Sequence, residues 1–134
     1  MPSVANVLSN APSGRAGVSR WIAPWLYVVA VLHTLFGAVA FAPQWQGIAA
    51  RGFWNTAGTE AELAGAVLFV QVGLLIFALA AHIGSQSAWP PRSVGVRLLV
   101  LTIPSVIVMP VSGYWLLFPP ALALVRGPRA LVET

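Results

Sequence analysis

The chain has 134 residues, 58% apolar and 7% charged, whereas about a quarter of a soluble domain is charged. A soluble protein this small needs far more polar surface than that, so composition excludes an ordinary soluble globule and predicts one integral membrane domain. The net charge of +4 comes from seven arginines and three glutamates, with no cysteine, which removes disulfides, thiolate nucleophiles and cysteine metal sites.

Residues 1–20 are rich in Ser, Asn, Gly and Pro, without apolar periodicity, and are expected to form a flexible cytoplasmic tail. The first apolar segment, residues 22–41, matches a hydrocarbon core about 30 Å thick. Trp21, Trp25 and Tyr27 mark its entry as an interfacial belt. Pro24 is expected in the first turn, where a missing N–H is harmless. No small-residue cleavage site follows this segment, so it is expected to be retained as a span.

Residues 42–61 carry too few charges for a free loop and are too short and polar to span. Trp45, Phe53 and Trp54 suit a segment lying in the headgroup layer or folding back over the bundle as a lid. Residues 62–83 form the second expected span, opened by a capping-box spacing of Thr59 and Glu62. Two shorter spans are expected at residues 94–109 and 111–125, with Pro104 kinking the first of them. Ser112 is expected to cap the reversal between them. Ser105 is expected to bond the carbonyl that Pro104 frees. Residues 127–134 form a second tail.

Arginine placement supports this count. Arg15, Arg20, Arg92, Arg97, Arg126 and Arg129 fall on one side of a four-span arrangement, and Arg51 alone falls on the other. The positive-inside rule then puts both termini in the cytoplasm. The expected fold is an all-α, four-helix transmembrane bundle in the cytoplasmic (inner) membrane, with lipid as its main partner. Because the arginines are scattered singly, no nucleic-acid partner is expected.

Few residues can carry chemistry. His33 lies within an apolar span, where an ionisable group is costly and usually faces a helix interior or a cavity. It serves either as an interhelical hydrogen-bond partner or as a proton-handling group. Glu62, at the outer end of the second span, is the one carboxylate that could face it as an acid–base pair. Gln71 falls at mid-depth in the second span, where it is expected to bond another helix or to orient a bound ligand. Trp45, Trp54, Asn55 and Tyr114 are expected near the outer surface, where aromatic walls suit an apolar ligand. His82 lies near the opposite face from His33, so no histidine metal centre and no cofactor are expected.

The segment HTLFG at 33–37, the loop GFWNTAGTEAE at 52–62 and the closing stretch MPVSGYWLLFPPALAL at 109–124 resemble a family of small, uncharacterised bacterial four-span membrane proteins. A weaker likeness is to the DoxX-like group. Neither resemblance implies catalytic residues. The Ala-, Val-, Gly- and Arg-rich content is similar to that of high-GC bacteria, where such proteins can accompany secondary-metabolite genes.

Three functions fit these residues. The first is binding of a lipophilic small molecule. The second is a cofactor-free isomerase or cyclase using His33 and Glu62, with the 42–61 aromatics enclosing the substrate. The third is an accessory subunit of an export or redox complex, and transport through so few spans would need a homo-oligomer. The sequence alone does not decide whether the protein is an enzyme.

Overall fold

The computed structural model describes residues 19–54, 56, 60–110 and 112–127. Five α-helices and one 3-10 turn make up these residues: α1 (Ser19–Ala40), α2 (Ala42–Arg51), α3 (Ala61–Ser85), α4 (Arg92–Val108), the 3-10 turn Gly113–Leu117, and α5 (Phe118–Arg126). Both expected tails lie outside the described residues, apart from Ser19, Arg20 and Gly127.

Only α1 and α3 are long and apolar enough to cross a membrane. The first holds Trp21–Ala40, 20 residues of mean hydropathy 1.8, and the second Ala61–Ser85, 25 residues of mean hydropathy 2.5. Just 33% and 28% of these windows are buried within the protein, which sets them apart from the core helices of a soluble fold. Outward faces carry Leu35, Phe36 and Val39 on α1, and Leu68, Leu74 and Leu75 on α3, all more than half exposed. Such exposed apolar faces are consistent with a membrane-associated protein.

The four-helix transmembrane bundle is therefore corrected to an all-α fold with two candidate membrane-spanning helices. The third expected span is α4, at 17 residues a helix of about 25 Å. The fourth breaks into the 3-10 turn and a nine-residue α5. The cause is local: Pro119 and Pro120 fall at the start of α5, where proline opens a new helix rather than bending an old one.

α1 packs along α3, and α4 packs along α5. The α1–α3 core repeats at helical spacing: Ile22, Leu26, Val29 and Ala30 meet Ile76, Ala80 and Ile83. Close van der Waals approach between the helices adds to this packing. Two glycines supply that approach reciprocally. A Cβ at Gly37 on α1 would lie 2.6 Å from the Phe69 ring, and one at Gly73 on α3 would collide with Thr34 Oγ1. In the second pair, a Cβ at Gly95 would lie 2.7 Å from backbone atoms of Ala121 and Val125.

Pro24 sits in the second turn of α1, because that helix begins earlier, at Ser19. In α4, the fully buried Thr102 donates to the Leu98 carbonyl at 2.7 Å, so its hydroxyl is satisfied within its own helix. Ser105 bonds the Leu101 carbonyl at 2.8 Å, one residue past the Val100 carbonyl that Pro104 leaves free.

The 42–61 connection is helical in its first half rather than a loop throughout. Its first half is α2, which buries Ile48 and packs on α3 and α1. Gly52 then turns the chain with φ 81°, a left-handed conformation that glycine adopts without strain. Arg51 pairs with Glu60 across this turn. Glu60 is itself the N-cap of α3, without a side-chain cap bond, and Glu62 lies in the first turn. Thr59, expected as the cap, lies outside the described residues.

Candidate functional site

His33 lies fourteen residues into α1, about 21 Å along its axis. Its Nε2–H donates to the Phe69 carbonyl of α3 at 3.1 Å. Its ring stacks on that of Phe69, with centroids 4.0 Å apart and planes 5° from parallel. A carbonyl can only accept, so in the neutral imidazole this contact puts the proton on Nε2 and leaves Nδ1 as an acceptor. Gly37 makes room for the Phe69 ring, and Gly73 lets α1 approach beside His33. The depth register of the two helices is what places ring on ring.

The α4–α5 hairpin closes one side of this pair. Its tip turns at Met109–Pro110, held by the Ser112 N–H to the Met109 carbonyl at 2.9 Å and by the Trp115 indole to the Pro110 carbonyl at 2.7 Å. The Trp25 indole donates to the Leu116 carbonyl at 2.8 Å, which fastens the 3-10 turn to α1. Tyr114 then stands 6.2 Å from the His33 ring, centroid to centroid.

Between this tip and α1 lies a cleft of about 780 Å³. Its walls are mostly apolar, from Val29, Leu32, Phe36, Phe69 and Met109, while His33, Ser112 and Tyr114 supply side-chain polar groups. Ser112 Oγ is buried and has no hydrogen-bond partner. Sequence reasoning takes Ser112 for a cap. It does stand at the N-cap of the 3-10 turn, but its side chain makes no cap bond, which leaves the hydroxyl free for another partner. Leu32, Phe36 and Met109 are each more than half exposed, so the cleft opens sideways along the helix surface.

The other expected site residues divide. Tyr114 joins His33 at the cleft. Trp45 is half-buried on α2, with its indole 3.4 Å from the Gly37 carbonyl. Trp54 is 95% exposed, and Asn55 lies outside the described residues. No described residue of 42–61 lines the cleft, so α2 is not its lid. Glu62 is exposed, seven residues before Phe69, or about 10 Å along α3. The polar partner of His33 is the Phe69 carbonyl rather than this carboxylate. Gln71 is expected at depth among helices but is exposed on α3. Among the described residues no three His, Asp or Glu side chains gather as a metal site would require.

Phe69 and Ser112 are the residues that sequence reasoning misses. A phenylalanine in an apolar span carries no mark that separates a site wall from a lipid contact. The glycine at position 37 is the one available hint, because it allows something large to sit against α1.

Residues 17–130 match a family of unknown function, DUF6463. The chain belongs to that family. The match covers every element described above, so the helix pairs and the cleft both fall within the DUF6463 region. No curated protein and no solved structure matches the chain, and the likeness to the DoxX-like group has no support from these comparisons.

Proposed function

We propose that this DUF6463 protein is a multi-pass protein of the bacterial inner membrane that binds a lipophilic small molecule beside His33. The observation that carries the reading is the 780 Å³ cleft, a volume suited to a small ligand, with His33, Ser112 and Tyr114 set in an apolar wall. Apolar walls supply contact area, and a few convergent polar groups fix orientation. A molecule with one oxygen-bearing head and an apolar body fits that pattern. Ser112 Oγ is the most telling of the three, because a buried hydroxyl without a partner is costly and a ligand oxygen would satisfy it.

In this reading α1 and α3 cross the bilayer as an antiparallel pair. Arg92 and Arg97 follow α3, whereas Arg51 alone lies between α1 and α3. By the positive-inside rule the C-terminal end of α3 then faces the cytoplasm. Glu62 is about two helical turns from the level of the His33 contact, too far to pair with it as acid and base.

The test is mass spectrometry of lipophilic compounds that co-purify with the protein in mild detergent, for wild type and for Gly113→Trp. A Cβ at Gly113 meets nothing within 4 Å, so the indole can enter the cleft without displacing the fold. The expected result is a compound retained by wild type and lost from the variant. Wild type that carries nothing, or a compound retained equally by both, overturns the reading.

A further inference from the structure

The face of α3 turned away from α1 carries its own pattern, independent of the cleft. Phe69 and Gly73 point toward α1. Gln71, between them, is rotated about 200° from each and is exposed. It lies two residues from the centre of the 25-residue helix. At that depth a primary amide has no water to bond. None of the side-chain hydrogen bonds among the described residues involves it.

The residues around Gln71 keep a strict four–three spacing: Ala64, Leu68, Gln71, Leu75, Ala78 and His82. Leu68 and Leu75 are 59% and 69% exposed, and Gln71, Ala78 and His82 are exposed as well. This is the seam of a left-handed coiled coil. One seam position is taken by Ala64, Gln71 and Ala78, each one heptad apart, and the other by Leu68, Leu75 and His82. The two alanines bracket the glutamine, so two backbones can approach closely at that level. α4 and α5 make at most marginal contact with α3, and the exposure of Leu68, Gln71, Leu75, Ala78 and His82 leaves the seam open.

We propose that the occupant is a second copy of this chain, joined through α3 in a parallel, two-fold dimer. The chemistry of Gln71 selects that partner. A carboxamide holds both donors and an acceptor, so it is its own complement. Two copies inserted with one topology bring Gln71 to the same depth, and two-fold symmetry sets each residue against itself. Any other partner must supply a matched polar group at that depth. A single polar residue within such a seam fixes register and oligomeric state.

The chain has no cysteine, so single cysteines report the interface cleanly. In native membranes under oxidation, Leu68→Cys, Leu75→Cys and Ala78→Cys should form cross-linked dimers. Phe77→Cys and Leu35→Cys, exposed on other faces, should stay at background. Gln71→Leu should weaken the dimer by about 3- to 30-fold, the range of an interhelical polar contact in lipid, and Gln71→Asn should recover part of the loss. Cross-linking as strong at positions 77 and 35 as at the seam overturns the proposal, as does a monomer at every detergent-to-protein ratio. A dimer unchanged by Gln71→Leu overturns the role of the amide. None of these readouts depends on whether the cleft holds a ligand.

Discussion

His33 grips Phe69 at two points, through its Nε2–H to the backbone carbonyl and through its ring face to the aromatic side chain. The two contacts are separable, because substitution of Phe69 removes the ring and leaves the carbonyl. In a double-mutant cycle of His33→Ala and Phe69→Leu, read by unfolding in a detergent titration, the coupling energy should be roughly 0.5–1.5 kcal/mol for the stacked rings. His33→Ala should still cost about 0.5–1.5 kcal/mol in the Phe69→Leu background, from the surviving hydrogen bond. Zero coupling would contradict the stacked geometry.

The glycines should rank by what a methyl group meets. At Gly95 the obstacles are backbone atoms 2.7 Å away, so Gly95→Ala must separate α4 from α5 and should cost the most, about 3 kcal/mol. At Gly73 the obstacle is the Thr34 hydroxyl. Gly73→Ala should cost about 1–3 kcal/mol, and Thr34→Ala in the same chain should return much of it. Gly65 meets nothing within 4 Å, so Gly65→Ala should be neutral or stabilising by up to about 1 kcal/mol through helix propensity. Melting curves of the four variants decide the order, and a Gly65→Ala loss equal to that of Gly95→Ala would refute it.

Ser112→Ala and Tyr114→Phe each delete a hydroxyl with little change in shape. If these groups orient the bound molecule, occupancy of the co-purified compound should fall about 3- to 10-fold for each, the worth of one hydrogen bond. Thermal stability of the ligand-free protein should move by no more than about 0.5 kcal/mol for Tyr114→Phe and should rise for Ser112→Ala, which removes an unpartnered buried hydroxyl. A large drop in stability with unchanged occupancy would show that the hydroxyls serve the fold instead.

Arg51 and Glu60 form an ion pair across the α2–α3 turn, with side chains 54% and 46% exposed. An ion pair this open is worth about 1 kcal/mol or less and is screened by salt. Glu60→Gln should therefore leave the melting temperature nearly unchanged, and any effect should vanish in high salt. A loss above about 2 kcal/mol would mean that this contact closes the turn far more firmly than its exposure implies.

Length and hydropathy made α1 and α3 readable in the sequence, because a 20-residue apolar run has few other uses. The same reasoning failed from residue 94 onward. There the apolar content continues, but Pro110, Pro119 and Pro120 divide it into pieces that hydropathy averaging joins together. Arginine counting does not correct this, since two crossings satisfy it as well as four. His33 and Tyr114 were legible as cleft residues because polar and interfacial side chains stand out against an apolar background. Phe69 was not, because contact between rings on separate helices depends on relative depth, which local sequence does not encode. Gln71 stands out for its polarity, but polarity alone does not say which face of the helix carries it. Its heptad phase with Leu68 and Leu75 sets it on the side opposite Phe69.

The sideways opening at Leu32, Phe36 and Met109 fixes how binding there has to be measured. If the proposed reading holds, a compound that reaches His33 arrives by partitioning through acyl chains, so its driving concentration is a mole fraction within the leaflet. Adding empty detergent micelles dilutes such a compound as surely as adding buffer dilutes a water-soluble one. Titrations plotted against total aqueous concentration will drift with the amount of amphiphile, and those plotted per mole of lipid will superimpose.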